Sequence, residues 1–171
     1  MQKWSIHFTF AAIFLAAICS SKNVFAGESD VDIEDRFLQA MAAYDASDYV
    51  TAGRLLKSLA EQGHVVSQRM LGSMYDKGRG VPQNFYHAVS WFQKAARQND
   101  PVAQYHLGLK YANGQGVVLN PTEAYVWFAI SFNNGYELAA NPLRVLNKSL
   151  STVDRQEALK VVVQKMEVFA R

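Results

Sequence analysis

The feature that most constrains the fold of this chain is an internal repeat with a period of 36 residues. When residues 68–99 are aligned with 104–135, eleven of the 32 pairs are identical. Chance predicts about two identities over that length, so the chain is built from repeated units. Such a period is typical of solenoids, in which each unit covers the apolar face of its neighbour. The identical pairs are Gln68/Gln104, Leu71/Leu107, Gly72/Gly108, Tyr75/Tyr111, Gly78/Gly114, Gly80/Gly116, Val81/Val117, Asn84/Asn120, Ala88/Ala124, Trp91/Trp127 and Phe92/Phe128.

Each unit is predicted to be two helices joined by a glycine-containing turn. Apolar residues at helical spacing predict a first helix over about residues 66–76. Gly78 should end this helix in the left-handed conformation, and Asn84 should cap the second helix. Gly78 and Gly80 also resemble part of a phosphate-binding loop, but no strand precedes them and no Lys-Ser or Lys-Thr follows. A tight turn is therefore the preferred interpretation.

The same pattern of helix caps and glycine turns divides the rest of the chain into units. The second and third units cover residues 64–99 and 100–135, and a weaker copy with a shorter turn covers 32–63. Residues 136–171 leave the period, with Pro142 expected to start or kink one helix and Ser151 to cap the last. The predicted fold class is all-α: a superhelical solenoid of about three helix–turn–helix repeats with a C-terminal helical cap.

The first 26 residues have the features of a secretory signal peptide. Lys3 provides a positive start, an apolar run follows from Phe8 to Ile18, and a small residue, Ala26, precedes the expected cleavage point. An uncleaved anchor is the alternative, although spanning a bilayer takes about 20 apolar residues. Lipidation at Cys19, the single cysteine, is disfavoured by the Ile18 that precedes it. The expected product is a repeat domain over 27–171 that is periplasmic or secreted and has no disulfide.

Charge and composition exclude two broad classes of protein. Half of the residues are hydrophobic, which argues against disorder. Outside the predicted signal the chain carries equal numbers of basic and acidic residues, because 17 basic residues less Lys3 and Lys22 match the 15 acidic ones. Nucleic-acid binders usually present a basic face, so no nucleic-acid partner is predicted.

The positions shared by the second and third units form a motif. Its residues are Leu71, Gly72, Tyr75, Gly78, Gly80, Val81, Asn84, Ala88, Trp91, Lys94, Ala95 and Ala96, with Ala103, Leu107, Gly108, Tyr111, Gly114, Gly116, Val117, Ala124 and Trp127 in the third unit. This string resembles the Sel1-like repeat, a tetratricopeptide-like repeat. The resemblance implies an α/α superhelix that serves as a protein-interaction scaffold. Exported bacterial members of the family often act in the cell envelope.

No group of residues in the sequence forms a recognisable catalytic or metal site. His64, His87 and His106 lack metal-ligand spacing, and neither a G-x-S-x-G elbow nor a catalytic cysteine is present. Trp91 and Trp127 recur at one helical phase, so both are predicted to be core residues and not a ligand platform. We therefore expect no enzyme activity, no cofactor and no metal. The alternative is a hydrolase of cell-wall material whose site has no sequence motif.

Non-repeating positions on the first helices are the candidates for binding a protein or peptide partner. First helices usually line the concave groove of a solenoid. The candidates are Arg69, Ser73, Tyr105, Leu109 and Lys110. Tyr and Arg are favoured interface anchors, but Tyr105 and Leu109 could equally pack between units. An Arg69→Glu change is expected to weaken binding without lowering thermal stability. Whether the chain dimerises end to end is left open.

Overall fold

The structure is a computed structural model that describes residues 30–170 of the chain. The predicted signal peptide and Cys19 lie outside the described residues, so both interpretations stay predictions. The chain divides into two units at the boundary between Asp35 and Arg36. The shorter unit contributes only residues 30–35, the start of the first helix, and the larger unit contains the repeats.

Within residues 30–170 the fold consists of α-helices and one 3-10 turn, with no strand. This confirms the predicted all-α class and the helical pairs. In the first pair the turn between the helices has only three residues, as the weaker copy predicted. The elements are α1 (Asp30–Asp45), α2 (Tyr49–Glu61), α3 (Val65–Lys77), α4 (Phe85–Arg97), α5 (Pro101–Asn113), α6 (Pro121–Asn133), the 3-10 turn (Glu137–Ala139), α7 (Ala140–Ser149) and α8 (Thr152–Phe169).

The helix ends have the capping contacts that the sequence predicts. The Asn84 side chain accepts a hydrogen bond from the backbone N–H of His87 at 3.0 Å, and Asn120 accepts one from Glu123 at 3.0 Å. Each bond satisfies a backbone donor that the first turn of a helix leaves without a partner. Gly78 follows α3 with φ of 68°, the left-handed conformation that glycine adopts without steric cost. Local sequence therefore sets where these helices begin and end.

The core prediction is correct for three of the four repeated aromatic residues. Phe92 and Phe128 are fully buried, and Trp127 is 5% exposed. Trp91 is only half-buried, so its assignment to the core was wrong. The reason is the C-terminal helix: α8 packs on α6 and places Phe169 over Trp127, with ring centroids 6.2 Å apart.

Buried glutamines join successive units through a repeated set of hydrogen bonds. Gln68 and Gln104 occupy equivalent positions and are 4% and 0% exposed. Each donates to a carbonyl eight residues earlier and accepts from an amide 30 residues later. Each therefore links the ends of three helices while leaving no buried amide unpaired. The bonds are Gln68 Nε2 to Ala60 O (3.0 Å), Gln98 Nε2 to Gln68 Oε1 (2.8 Å), Gln104 Nε2 to Ala96 O (3.1 Å) and Asn134 Nδ2 to Gln104 Oε1 (2.9 Å).

The C-terminal helices form the predicted non-repeating end. Both α7 and α8 pack against α6. Pro142 lies in the first turn of α7, where a missing N–H leaves no intrahelical bond unmade. Ser151 caps α8 by accepting from the backbone N–H of Asp154 at 3.1 Å. Among the described helices, none combines the length and apolar content that crossing a bilayer requires.

Candidate functional site

A groove runs across the first helices of the three helical pairs. It encloses a cavity of about 320 Å³ and draws its lining from α1, α3 and α5. We call it the first-helix groove. Equivalent faces of successive units meet here because each unit repeats the packing of the one before. The lining residues are Phe37, Met41, Tyr44, Val66, Arg69, Met70, Ser73 and His106.

The floor of the first-helix groove is mainly apolar. Phe37, Met41 and Met70 line it together, and none of the three is fully buried. Methionine side chains are flexible and polarisable, so they adapt to the shape of an apolar partner group. At one side the Tyr44 hydroxyl accepts a hydrogen bond from Arg79 Nη1 at 2.8 Å. The groove therefore combines an adaptable apolar surface with a polar margin.

Arg69 lies in the groove, but its side chain already forms an ion pair with Asp100. Its Nε donates to Asp100 Oδ2 at 3.1 Å, and the two side chains are 29% and 10% exposed. Asp100 also caps α5 by accepting from the Ala103 N–H at 2.7 Å. An Arg69→Glu change would place two carboxylates together at this cap. We therefore now expect Arg69→Glu to lower thermal stability as well, because Arg69 contacts the Asp100 cap while it lines the groove.

Of the remaining candidates, Ser73 lines the groove, whereas Tyr105 and Leu109 pack between helices. Both pack against a buried cluster that includes Phe128. The Tyr105 ring lies 5.5 Å from the Phe128 ring and 5.2 Å from the Tyr136 ring, measured between centroids. These contacts favour the packing alternative that the sequence left open for both residues.

Lys110 is buried and does not present its ammonium group to a partner. The residue is 4% exposed, and its Nζ forms an ion pair with Asp76 and a 2.9 Å hydrogen bond to Gln115 Oε1. The Phe85 ring lies 4.8 Å from the same Nζ. The repeat contained a signal for this burial: Lys110 aligns with Met74, which is 1% exposed. Lys110 thus occupies a core position, and we omit it from the binding surface.

His106 is a groove residue that the sequence reasoning treated only as a packing or surface histidine. Its ring stacks on Phe92 with centroids 4.8 Å apart and planes 9° from parallel. Burial lowers its pKa from 6.5 to about 4, and Lys110 adds to this effect while Asp76 opposes it. The imidazole is therefore neutral at pH 7. Alignment with Met70, another lining residue, was the signal that could have placed His106 in the groove.

The described side chains give no metal-binding cluster. Among residues 30–170, no group of three or more His, Cys, Asp or Glu side chains is placed to hold a metal ion. The hydrolase alternative thus gains no support from the structure.

The chain is similar to proteins that contain Sel1 repeats. A family model described as Sel1 repeat matches residues 65–100 and 101–136. A protective antigen present in uropathogenic Escherichia coli strains, which displays an SLR fold, is 25% identical with a TM-score of 0.77, over 81% of this chain and 31% of that one. A Sel1 repeat protein from Oxalobacter formigenes is 33% identical with a TM-score of 0.61, over 64% of this chain and 45% of that one.

A more distant structure agrees in fold alone. Helicobacter pylori cysteine rich protein B is 22% identical with a TM-score of 0.52, over 67% of this chain and 97% of that one. The chain spans less than half of the length of the first two structures. No curated protein sequence matches it significantly.

Proposed function

We propose, from the two Sel1 repeats matched over residues 65–136 and the helical solenoid fold that the chain shares with an SLR protein, that this chain is an exported, non-catalytic adaptor of the cell envelope. In this proposal it binds a protein or peptide partner in the first-helix groove. Sel1-repeat proteins are generally protein-interaction scaffolds. The observation that carries the proposal is that three successive first helices line one apolar cavity of about 320 Å³.

The groove suits a peptide segment with apolar side chains. A cavity of this size lies at the lower end of the range, about 300–1,000 Å³, of sites that enclose a ligand. Apolar anchors that enter such a cavity provide most of an interface's binding energy, while the polar margin orients the partner. Met41 and Met70 offer the adaptable floor, and Ser73 offers a hydroxyl beside it.

Two groove substitutions and one matched control test this proposal. Met41→Glu and Ser73→Glu each place a carboxylate in the groove, whereas Ala42→Glu places it on an exposed neighbouring position of α1. Partners captured from envelope extract by the full chain would be identified and their affinities measured by calorimetry. We expect the groove variants to weaken binding about tenfold or more, the effect of losing one interface anchor. Equal affinities for all three variants, with unchanged melting temperatures, would place the partner elsewhere.

Export is tested separately by the N-terminal sequence of the protein recovered from cells. Cleavage after Ala26 would yield a chain that starts at Gly27, as the small-residue rule for signal peptidase predicts. Recovery of a chain that still begins at residue 1 in the membrane fraction would instead support the retained anchor. This result would leave the groove experiment unaffected.

A further inference from the structure

A cleft lies between the turn that follows α5 and the start of α4. It measures about 480 Å³ and shares no lining residue with the first-helix groove. We call it the turn cleft. None of its lining residues, all in the described part of the chain, is an aspartate, glutamate, lysine, arginine or histidine. They are Gln83, Asn84, Phe85, Tyr86, Gly114, Gln115 and Gly116.

A close approach of backbone to backbone places this turn against the second helix of the preceding unit. A Cβ added at Gly116 would lie 2.4 Å from the carbonyl carbon and oxygen of Phe85, the first residue of α4. One unit earlier, a Cβ at Gly80 would lie 2.2 Å from the carbonyl oxygen of Tyr49, the first residue of α2. Glycine allows this contact because it has no side chain. The backbone arrangement is therefore repeated, and the side chains around it decide what each copy can bind.

Three carboxamide side chains line the turn cleft, and each is bonded to the protein through one end. The partners fix which end is nitrogen, because a carbonyl only accepts, whereas a backbone N–H and an ammonium group only donate. The other ends, Gln83 Oε1, Asn84 Nδ2 and Gln115 Nε2, form no hydrogen bond within residues 30–170. The bonds that hold the side chains are Gln83 Nε2 to Asp76 O (2.8 Å), His87 N to Asn84 Oδ1 (3.0 Å) and Lys110 Nζ to Gln115 Oε1 (2.9 Å).

The free amide ends of Asn84 and Gln115 are open to solvent. Both residues are partly buried, yet neither amide nitrogen belongs to the buried side-chain atoms of residues 30–170 that lack a partner. The oxygen of Gln115 is turned to Lys110, which is 4% exposed, so the NH2 group is its outer end. Gln83 is an exposed residue. The lining of the turn cleft therefore includes two accessible NH2 donors beside an exposed amide whose carbonyl is unpaired.

An exposed aromatic ring lies beside these amides. Tyr86 lines the turn cleft and is 76% exposed. Within residues 30–170, no group forms a hydrogen bond, an ion pair or a ring contact with its side chain. The ring therefore has a face that a ligand can cover, and covering it removes apolar surface from water.

The preceding unit has different side chains at the equivalent positions. Arg79 aligns with Gln115, and its Nη1 donates to the Tyr44 hydroxyl at 2.8 Å. Val50 aligns with Tyr86. The neutral amide and the free aromatic ring are therefore not requirements of the repeat, which maintains its backbone contact without them.

We propose that the turn cleft binds a neutral saccharide. The C–H groups on one face of a sugar ring pack on the electron-rich face of Tyr86, and its hydroxyls accept from Asn84 and Gln115 and donate to Gln83 Oε1. An ion would lose water here without meeting a free opposite charge. A peptide anchor needs an enclosed apolar pocket, whereas this lining is mostly amide and glycine.

This inference does not depend on the proposed function, because the adaptor partner occupies the first-helix groove. The two sites have no lining residue in common, so a substitution in one leaves the other intact.

Nuclear magnetic resonance of the full chain labelled with nitrogen-15 tests the proposal directly. The probes are cellotetraose, maltotetraose and N-acetylated chitotetraose, with the backbone signal of Gly116 and the side-chain NH2 signal of Gln115 as reporters. At least one of these neutral saccharides should shift both signals and saturate with a Kd of about 1 mM or tighter. Tetragalacturonate, which is acidic, and the peptide acetyl-Ala-Ala-Ala-Ala-amide should give no saturable shift. Absence of a shift with all three neutral saccharides, or equally tight binding of the acid or the peptide, would overturn the proposal.

Substitutions at Tyr86 test the aromatic contact, with the Gly116 signal as the reporter. Tyr86→Ala should weaken binding of the tightest neutral saccharide about tenfold or more, whereas Tyr86→Phe keeps the ring and should stay within about threefold of the parent chain. The control Val50→Ala shortens the aligned side chain of the preceding unit and should change the Kd less than about twofold. Tyr86 and Val50 are 76% and 71% exposed, so all three variants should fold. Equal Kd values for Tyr86→Ala and Val50→Ala would contradict the assignment.

Gln115→Glu tests the amide donor without removing the oxygen that Lys110 requires. The carboxylate still accepts from Lys110, so the melting temperature should not fall, but the NH2 group is lost. Binding of the same saccharide should weaken about fivefold through the lost hydrogen bond. An unchanged Kd would refute the site, and the Tyr86 variants decide the question by themselves if Gln115→Glu fails to fold.

Discussion

Replacing Gly108 with alanine tests how closely the two helices of a unit approach each other. A Cβ added at Gly108 would lie 2.6 Å from Cδ1 and Cε1 of the Phe128 ring, 0.8 Å inside the 3.4 Å at which ordinary contact begins. Phe128 is 1% exposed and packs in a buried cluster with Ala124 and Ala139. Neighbouring side chains therefore enclose the ring and limit how far it can move.

Two opposing effects set the size of the change. Alanine is better than glycine in a helix interior by about 1 kcal/mol. Forcing an extra methyl group into a packed core costs about 1–3 kcal/mol. The overpacking cost should lie in the upper part of its range, because an aromatic ring must be displaced. After the gain in helix propensity is subtracted, we expect Gly108→Ala to lower the free energy of unfolding by about 1–2 kcal/mol. Such a loss lowers the melting temperature of a chain of this size by about 2–4 °C per kcal/mol.

Chemical denaturation measures this effect by comparing the free energies of unfolding of three variants, Gly108→Ala, Gly72→Ala and Gly53→Ala. The added Cβ would lie 2.8 Å from the Phe92 ring at Gly72 and 3.2 Å from the flexible Met74 Cε at Gly53. Gly72→Ala should be destabilising, and Gly53→Ala should be neutral or slightly stabilising because the end of a methionine can move. The reasoning fails if Gly108→Ala is as stable as the parent chain or more stable than Gly53→Ala.

Substitutions at three further positions are informative by the same denaturation assay. Lys110→Met leaves the Asp76 carboxylate unpaired beside a buried position, so we expect the free energy of unfolding to fall by about 3 kcal/mol. A decrease below about 0.5 kcal/mol would mean that the ion pair contributes little to stability. His106 should make stability depend on pH, because its pKa is about 4 in the folded chain against 6.5 in the unfolded chain. As the pH drops from 6.5 towards 4, the unfolded chain binds the proton first. The free energy of unfolding should therefore fall by up to about 3 kcal/mol over this range. His106→Phe keeps the ring and should remove most of this slope; an unchanged slope would refute the assignment. Asp100→Ala should lower the free energy of unfolding by about 1–2 kcal/mol because the helix cap is lost, whereas Asp100→Asn keeps the acceptor and should lower it less. Equal decreases for the two variants would show that the ion pair, and not the cap, stabilises the chain.

Comparison of Lys110 with Met74 shows why residue type misled the prediction of site residues. A lysine on a first helix indicates an exposed charge, since lysine is rarely buried without a partner. Here the partner is Asp76, which lies 34 positions earlier in the chain and one unit away. No local pattern joins two residues at this distance. Alignment of the units offered a signal for this burial, because Lys110 occupies the position of Met74, an apolar residue that is 1% exposed.

The two tryptophans show a second limit of the repeat. Trp91 and Trp127 occupy equivalent positions, so the period alone predicts equal burial. Their burial differs because α8 lies outside the period and covers only Trp127. The burial of the Trp127 indole N–H follows from the same contact. Sequence reasoning could not find this difference, because it depends on a contact between α6 and α8, which are separate segments of the chain.

The sequence by itself determined the repeat, the all-α class, the helix ends and most of the buried aromatic residues. These features depend on local physics: caps satisfy neighbouring backbone groups, and helical spacing places apolar residues on one face. Only the tertiary structure decided that Arg69 and Lys110 are held by carboxylates of other units, that three first helices share one apolar groove, and that α8 covers Trp127. Contacts between distant segments depend on how the helices stack, and the period specifies that stacking only for residues that repeat.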